Sequence, residues 1–204
     1  MVFSLDRKSD EALMKLLSRG REEAFDVLFR RHFQRLVSFF YRSIHDEESA
    51  KELAQEVFLR VFRAKETFEE RAKFTTWMFT IARNSLINYF RDSKKTAHLV
   101  MGSVSDESVY DYHLKRYPST VPDPSDLAQA AELEVIVQEA VEALPESLRT
   151  PFVLAQVNGL SYQEIAQILS ITPGAVKLRV FRARETLVAH LGEIGVKRKS
   201  QNGV

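Results

Sequence analysis

Residues 160–187 read LSYQEIAQILSITPGAVKLRVFRARETL, and this stretch decides the fold of the C-terminal part of the chain. Ser161 and Glu164 have the spacing of a capping box, which marks the start of a helix. A second start follows eleven residues after the first, where Thr172 is a good N-cap and Pro173 suits the first helical position. Two short helices joined by such a brief turn form a helix-turn-helix, which the stretch therefore predicts.

The second helix of this motif has two distinct faces. Its inward face is an apolar stripe of Val176, Val180, Ala183, Leu187 and Leu191. Its outward face presents Leu178 and Phe181, flanked by Lys177 and Arg182. In a DNA major groove such apolar side chains can meet thymine methyl groups, while the cations reach phosphates or guanine edges. A solvated basic helix in an ordinary bundle is the alternative, although it would rarely place leucine and phenylalanine outward.

The formal net charge of +1 hides a strong asymmetry along the chain. Residues 126–170 contain seven acidic side chains and one basic one, whereas residues 171–204 contain seven basic and two acidic. Residues 60–95 are also basic, with nine cations against four acids. Basic segments beside an acidic one favour contact with nucleic acid, which the average charge conceals.

Composition excludes several classes of site. The 204 residues include no cysteine, and the five histidines show no metal-ligand spacing. The N-terminal MVFSLDRKSD lacks the apolar core of a signal peptide, and no apolar run approaches the length of a membrane span. We also find no convergent carboxylates, nucleophile–base pair or phosphate-binding glycine loop, which argues against a nucleic-acid enzyme. The sequence predicts a cytoplasmic protein without metal, cofactor, membrane insertion or small-molecule substrate.

Glycine and proline divide the chain into two parts. Neither residue occurs between Arg21 and Met101, a stretch that holds eleven of the fourteen phenylalanines. It should form consecutive helices with their own core. Residues 94–128 contain three of the six prolines and show no apolar periodicity. The prediction is an all-α protein, with an N-terminal helical domain at 1–93, a flexible linker at 94–128, and a C-terminal helical domain at 129–204 whose basic tail, 195–204, is frayed.

The segment DEESAKELAQEVFLRVFRA, residues 46–64, predicts a helix capped by Asp46. Its buried face consists of Ala50, Leu53, Ala54, Val57, Phe58 and Val61. Its opposite face carries Glu48, Glu52, Gln55, Glu56 and Leu59. A leucine ringed by acids and an amide fits a docking surface for a basic partner helix, although an ordinary surface with one stray leucine fits equally well.

The segment TTWMFTIARNSLINYFRD, residues 75–92, predicts another two-faced helix. Its core side consists of Met78, Phe79, Ala82, Leu86, Tyr89 and Phe90. The other side carries Trp77, Thr80, Asn84, Asn88 and Arg91. An indole and two amides in register suit stacking on, and hydrogen bonding to, unpaired bases. Trp77 could equally be a core residue at a domain edge.

These features, in this order, resemble the extracytoplasmic-function sigma factors, which are specificity subunits of bacterial RNA polymerase. The likeness covers nearly the whole chain and includes AFDVLFRRHF at 24–33 and LPESLRTPFVLAQVNGLSYQEIAQIL at 144–169, besides the segments quoted above. It implies binding to the polymerase core through its β′ and β subunits, binding to promoter DNA, and an anti-sigma partner. Catalysis then belongs to the core enzyme.

The resemblance also implies roles for individual residues. It implies that Glu52, Gln55, Glu56 and Leu59 dock on a coiled-coil of the β′ subunit. Binding of the non-template strand at the −10 element, where a base flips out, falls to Phe68, Lys73, Trp77, Asn84, Asn88 and Arg91. Reading of the −35 element falls to Ser161, Tyr162, Lys177, Leu178, Phe181 and Arg182. The linker should thread toward the RNA exit channel, with Asp106, Glu107 and Asp111 mimicking nucleic-acid charge.

The chain departs from the family pattern at the helix-turn-helix. Ser170 stands where the family often has glycine, Ala175 replaces a common threonine, and Leu178 a common small polar residue. Since Leu178 faces the groove, the promoter sequence stays open. A conventional transcription regulator is the rival interpretation, but it would need neither the acid-rimmed helix nor the stripe of Trp77, Asn84 and Asn88.

Overall fold

The structure, a computed structural model, describes residues 5–68, 73–96 and 136–201. Every regular element in these ranges is an α-helix, which confirms the predicted all-α class. The helices are α1 Asp10–Ser18, α2 Glu23–Ile44, α3 Glu47–Arg63, α4 Phe74–Thr96, α5 at 136–142, α6 Glu146–Gln156, α7 Tyr162–Leu169 and α8 Pro173–Gln201. We call α1–α4 the N-terminal domain and α5–α8 the C-terminal domain.

The turn between α2 and α3 is set by two residues. His45 ends α2 in the left-handed conformation, with φ 61°. Asp46 then caps α3 as predicted, because its side chain accepts a hydrogen bond from the backbone N–H of Ser49 at 2.8 Å. This hydrogen bond lowers the pKa of the Asp46 carboxyl. The short turn folds α3 back along α2.

Phenylalanine dominates the core of the N-terminal domain, as the sequence predicts. The fully buried rings are Phe39, Phe40, Phe74 and Phe79. A second group of rings joins α2 to α3, where Phe29 and Phe33 stack with centroids 4.5 Å apart and Phe25 meets Phe62 edge-on at 5.3 Å. Aromatic pairs add to the stabilisation that burial of apolar area provides. They therefore hold α2 and α3 together, and α4 packs against this pair of helices.

Helix α1 is tied to α2 and α4 by two carboxylates. Asp10 pairs with Arg31 at 2.6 Å and with the buried His32 at 2.7 Å. Burial opposes ionisation of Asp10, but the hydrogen bonds from His32 and Arg31 outweigh it and lower the pKa. Glu11 accepts the backbone N–H of Phe74 at 3.0 Å and so holds the start of α4.

Two boundaries differ from the sequence interpretation. Helix α4 continues to Thr96, whereas the linker was predicted from residue 94. The rest of that linker, with Asp106, Glu107 and Asp111, lies outside the described residues. Helix α8 continues to Gln201, into the tail for which the sequence predicts fraying.

The two domains contact each other directly. Helix α7 packs against α4, and α6 packs against α2. The buried apolar residues of both domains form one continuous cluster. No helix in the described ranges is both long enough and apolar enough to cross a bilayer.

Candidate nucleic-acid and polymerase interfaces

The helix-turn-helix forms as the capping pattern predicts. Ser161 and Glu164 make the complete capping box at the start of α7, with the Ser161 N–H donating to the carboxylate at 2.8 Å. Ser170 ends α7 in the left-handed conformation, with φ 55° and ψ 44°. Thr172 caps α8 by accepting the N–H of Ala175 at 3.2 Å, and the helix begins at Pro173. Local cap chemistry thus fixes the angle at which α8 is presented.

Helix α8 buries the predicted stripe except Leu191, which is half-buried, and exposes the predicted outward face. Val176, Val180 and Ala183 are fully buried and Leu187 nearly so. On the other side Leu178 is 49% exposed and Phe181 56% exposed, while Lys177 and Arg182 are exposed beside them. Exposed apolar residues framed by cations are the arrangement that a major groove accommodates.

Two further residues of the predicted −35 set, the exposed Ser161 and its neighbour Tyr162, lie at the start of α7. The Ser161 hydroxyl donates to Glu164 at 2.5 Å, so it is committed to the cap. Tyr162 is half-buried and packs against the apolar core. Both stand at the N-terminal end of α7, which leaves the α8 side chains as the larger part of the exposed surface.

The outward face of α3 is acidic with one apolar residue at its centre. All six residues predicted for the buried face are buried. Leu59 is 42% exposed, Glu52 is exposed, and Gln55 and Glu56 are half-buried. Glu56 forms an i,i+4 ion pair with Arg60 at 2.5 Å. The structure therefore brings together all four residues of the predicted docking surface.

Helix α4 divides the predicted −10 set into two groups. Asn84 and Arg91 are exposed and Asn88 is half-buried, so these three form a polar surface. Trp77 instead belongs to an aromatic group, with its ring 5.2 Å from Phe68. Trp77 is half-buried and packs against the core, which agrees with its alternative interpretation as a residue at the domain edge. Of the intervening loop, residues 69–72 lie outside the described ranges.

Lys73, the remaining member of the −10 set, is engaged by the other domain. Its ammonium lies 3.0 Å from the carboxylate of Glu164, the residue that completes the α7 capping box. Burial would raise the pKa of Glu164, but hydrogen bonds from Ser161 and the Lys73 ammonium outweigh it and lower the pKa. Glu164 is therefore a fixed negative charge beside a predicted phosphate-binding lysine.

Sequence reasoning missed the residues that join the two domains. Arg149 donates to the carbonyl of Ser43 at the end of α2, and Arg35 donates to the carbonyl of Asn158. Arg149 could have been noticed, because it is the lone basic residue in the acidic segment 126–170. No local signal identifies Arg35. In the described part of the chain, no group of three or more histidine and carboxylate side chains is arranged to hold a metal.

Comparison with known proteins assigns both domains. Residues 28–96 match the family model of sigma-70 region 2, and residues 134–187 match that of sigma-70 region 4. The RNA polymerase sigma-H factor of Pseudomonas aeruginosa is 30% identical over 90% of this chain and 94% of its own length. The ECF RNA polymerase sigma-E factor of Haemophilus influenzae is 29% identical over 89% and 95%.

A solved structure shows the same fold. The sigma factor RpoE of Bartonella quintana, in complex with the anti-sigma factor NepR, superimposes with a TM-score of 0.60 at 23% identity. The match covers 82% of this chain and 96% of that one. With both domains matched in order and relatives aligned over nearly their whole length, the chain belongs to the extracytoplasmic-function sigma factors of RNA polymerase, which direct promoter-specific initiation of transcription.

Proposed function

We propose that three exposed surfaces of this sigma factor divide its work. Helix α3 docks on the polymerase core, α4 with the residues before it holds the opened −10 element, and α8 reads the −35 element. The observation that carries the proposal is the outward face of α8, where Leu178 and Phe181 stay exposed between Lys177 and Arg182. On a helix whose outer face contacts only solvent, two large exposed apolar side chains between cations would be unexpected.

At the −35 element, α8 enters the major groove with its N-terminal half. Arg182 can donate two hydrogen bonds to one guanine, and Lys177 can pair with a phosphate. Leu178 and Phe181 lie between them and exclude water against thymine methyl groups or sugars. Leu178 makes the preference of this chain differ from that of relatives with a small polar residue there.

At the −10 element, α4 binds the non-template strand after the duplex opens. Asn84 and Asn88 are one helical turn apart, so their amides line up to hydrogen-bond the edges of unpaired bases. Arg91 and Lys73 attract the phosphates. Because Trp77 packs against Phe68, its contribution is a fixed aromatic edge against which a base can rest.

Docking on the core uses the exposed face of α3. Leu59 is an apolar anchor, and Glu52, Gln55 and Glu56 supply acceptors for a basic helix of the β′ subunit. The C-terminal domain contacts the β subunit. The chain itself performs no catalysis; it brings the polymerase to the promoter.

Partners and location follow from this role. The RpoE structure contains an anti-sigma factor, and we infer that the present chain also binds one. A protein that binds core polymerase and promoter DNA works in the cytoplasm, without a metal, cofactor or small-molecule substrate.

In vitro transcription with purified core polymerase on a promoter library tests the proposal. We expect transcripts from a subset of promoters that share paired −35 and −10 sequences, with permanganate-reactive thymines at the −10 element. A chain that binds duplex DNA but neither binds core nor supports a transcript would instead be a conventional helix-turn-helix regulator.

A further inference from the structure

The first turn of α4 is capped by a residue of another helix. Lys73 occupies the N-cap position, because its carbonyl accepts the backbone N–H of Trp77 at 3.1 Å. A lysine side chain has no oxygen, so it cannot accept a hydrogen bond from the free N–H groups of that turn. Glu11 of α1 supplies the acceptor, since its Oε1 atom lies 3.0 Å from the backbone nitrogen of Phe74. The carboxylate also places a negative charge at the positive end of the α4 dipole.

Helix α1 is held so that Glu11 reaches α4. The adjacent Asp10 pairs with Arg31 and with the buried His32 of α2. The ring centroid of His32 lies 5.3 Å from that of Phe74. Both carboxylates of α1 therefore act on Phe74, one through its backbone and the other through a ring packed on its side chain. Three apolar residues of α1 are fully buried, namely Leu13, Met14 and Leu17.

The cap adjoins residues that we assign to the −10 element. Phe74 is fully buried, and its ring centroid lies 6.2 Å from those of Phe68 and Trp77. Phe68 and Trp77 contact each other at 5.2 Å. Lys73 is joined to the capped N–H by a single peptide bond. The backbone position of Phe74 thus affects three proposed −10 residues together, namely Phe68, Lys73 and Trp77.

We propose that Glu11 is a positioning residue for the −10 element. Without touching DNA, it holds the first turn of α4 in the geometry that places Lys73 and Trp77 against the opened non-template strand. The inference rests on the proposed function, because the residues that it positions are assigned to the −10 element there. The match to sigma-70 region 2 begins at residue 28, so α1 and Glu11 lie outside it.

Electrostatics alone would give Glu11 the opposite effect. A negative charge close to Lys73 repels the DNA backbone, so its removal should strengthen strand binding slightly. A cap predicts weaker binding on removal, because the first turn of α4 loses its acceptor and becomes less ordered. The sign of the change in affinity therefore separates the two effects.

Three substitutions of Glu11 separate its acceptor from its charge. Glu11→Gln keeps an acceptor oxygen at the same reach and removes the charge. Glu11→Asp keeps the charge, and with it the acidic first turn of α1, but shortens the side chain by one methylene group. Glu11→Ala removes both acceptor and charge. Ser9→Ala is the matched control, because Ser9 caps α1 by accepting the N–H of Ala12 at 3.2 Å within the same helix.

Each variant is combined with core polymerase and titrated with a single-stranded non-template −10 oligonucleotide, taken from a promoter that the transcription library yields. Fluorescence anisotropy measures the affinity. We expect Glu11→Asp and Glu11→Ala to bind about 2- to 30-fold more weakly than the wild-type chain, the range that loss of a helix cap covers. Glu11→Gln and Ser9→Ala should bind as the wild-type chain does.

Affinities for core polymerase and for a −35 duplex report general damage, since we assign these contacts to α3 and α8 rather than to the start of α4. Both should stay unchanged in all four variants. Wild-type −10 affinity in Glu11→Asp and Glu11→Ala, equal weakening by Glu11→Gln or Ser9→Ala, or an equal loss at the −35 duplex would overturn the proposal. If Glu11→Ala does not fold, the comparison of Glu11→Asp with Glu11→Gln decides alone.

The double variant Asn84→Ala with Asn88→Ala distinguishes this inference from the proposed function. If the double variant keeps wild-type −10 affinity, the assignment of α4 to the −10 element fails, and the positioning role of Glu11 with it. If it loses that affinity while Glu11→Asp does not, only the positioning role fails.

Discussion

Replacing Arg182 with alanine tests whether α8 reads DNA through the predicted face. The side chain is exposed, and its guanidinium has no ion-pair or hydrogen-bond partner in the part of the chain that the structure describes. The substitution therefore removes no contact that supports the fold. If the guanidinium forms two hydrogen bonds to a guanine, its loss costs about 1–3 kcal/mol, which weakens −35 binding about 5- to 150-fold.

Fluorescence anisotropy with a −35 duplex and its single-base variants measures this effect at several salt concentrations. A base contact predicts relaxed preference at one position, whereas a phosphate contact predicts uniform weakening and a salt slope smaller by about one. Arg184→Ala is the matched control, because Arg184 is also exposed and lies two residues along the helix, on another side. Wild-type affinity for Arg182→Ala, or equal weakening by Arg184→Ala, would show that the wrong face was chosen.

Three other substitutions test the remaining surfaces. Gln55→Lys with Leu59→Lys should weaken core binding in a titration at least about tenfold with an unchanged circular dichroism spectrum, and unchanged affinity would discard the docking face. Asn84→Ala with Asn88→Ala should abolish permanganate reactivity at the −10 element while core and −35 binding persist; normal opening would count against both residues. Ser170→Gly should stabilise the C-terminal domain against denaturant by about 0.5–1 kcal/mol, because glycine adopts a positive φ without the strain that serine carries, and a lower stability would contradict this.

Much of the local structure could be predicted because its causes are local. The capping box at Ser161 and the cap at Thr172 depend on residues within one turn, so the sequence contains all the information that they need. The buried face of α3 was predicted residue by residue, since helical periodicity alone determines which side chains share a face. The outward position of Leu178 and Phe181 follows from the same periodicity.

The contacts between domains could not be predicted in this way. Arg35 and its acceptor Asn158 are 123 residues apart in the chain, and Arg149 and Ser43 are 106 apart. Their acceptors are backbone carbonyls, which every residue carries, so no pattern of side chains marks them. Trp77 shows a smaller limit of prediction from sequence. Periodicity places it on the outward side of α4, but contact with Phe68 leaves it half-buried.

The contact between the two domains leaves several large apolar side chains exposed. Packing of α7 on α4 and of α6 on α2 buries apolar surface wherever the domains meet. Leu59, Leu178 and Phe181 nevertheless remain 42%, 49% and 56% exposed. Since the chain's own interface does not use them, their exposure is not a by-product of an open conformation. Their exposure costs free energy while the two domains are in contact, and we propose that polymerase and promoter DNA are the partners that cover them.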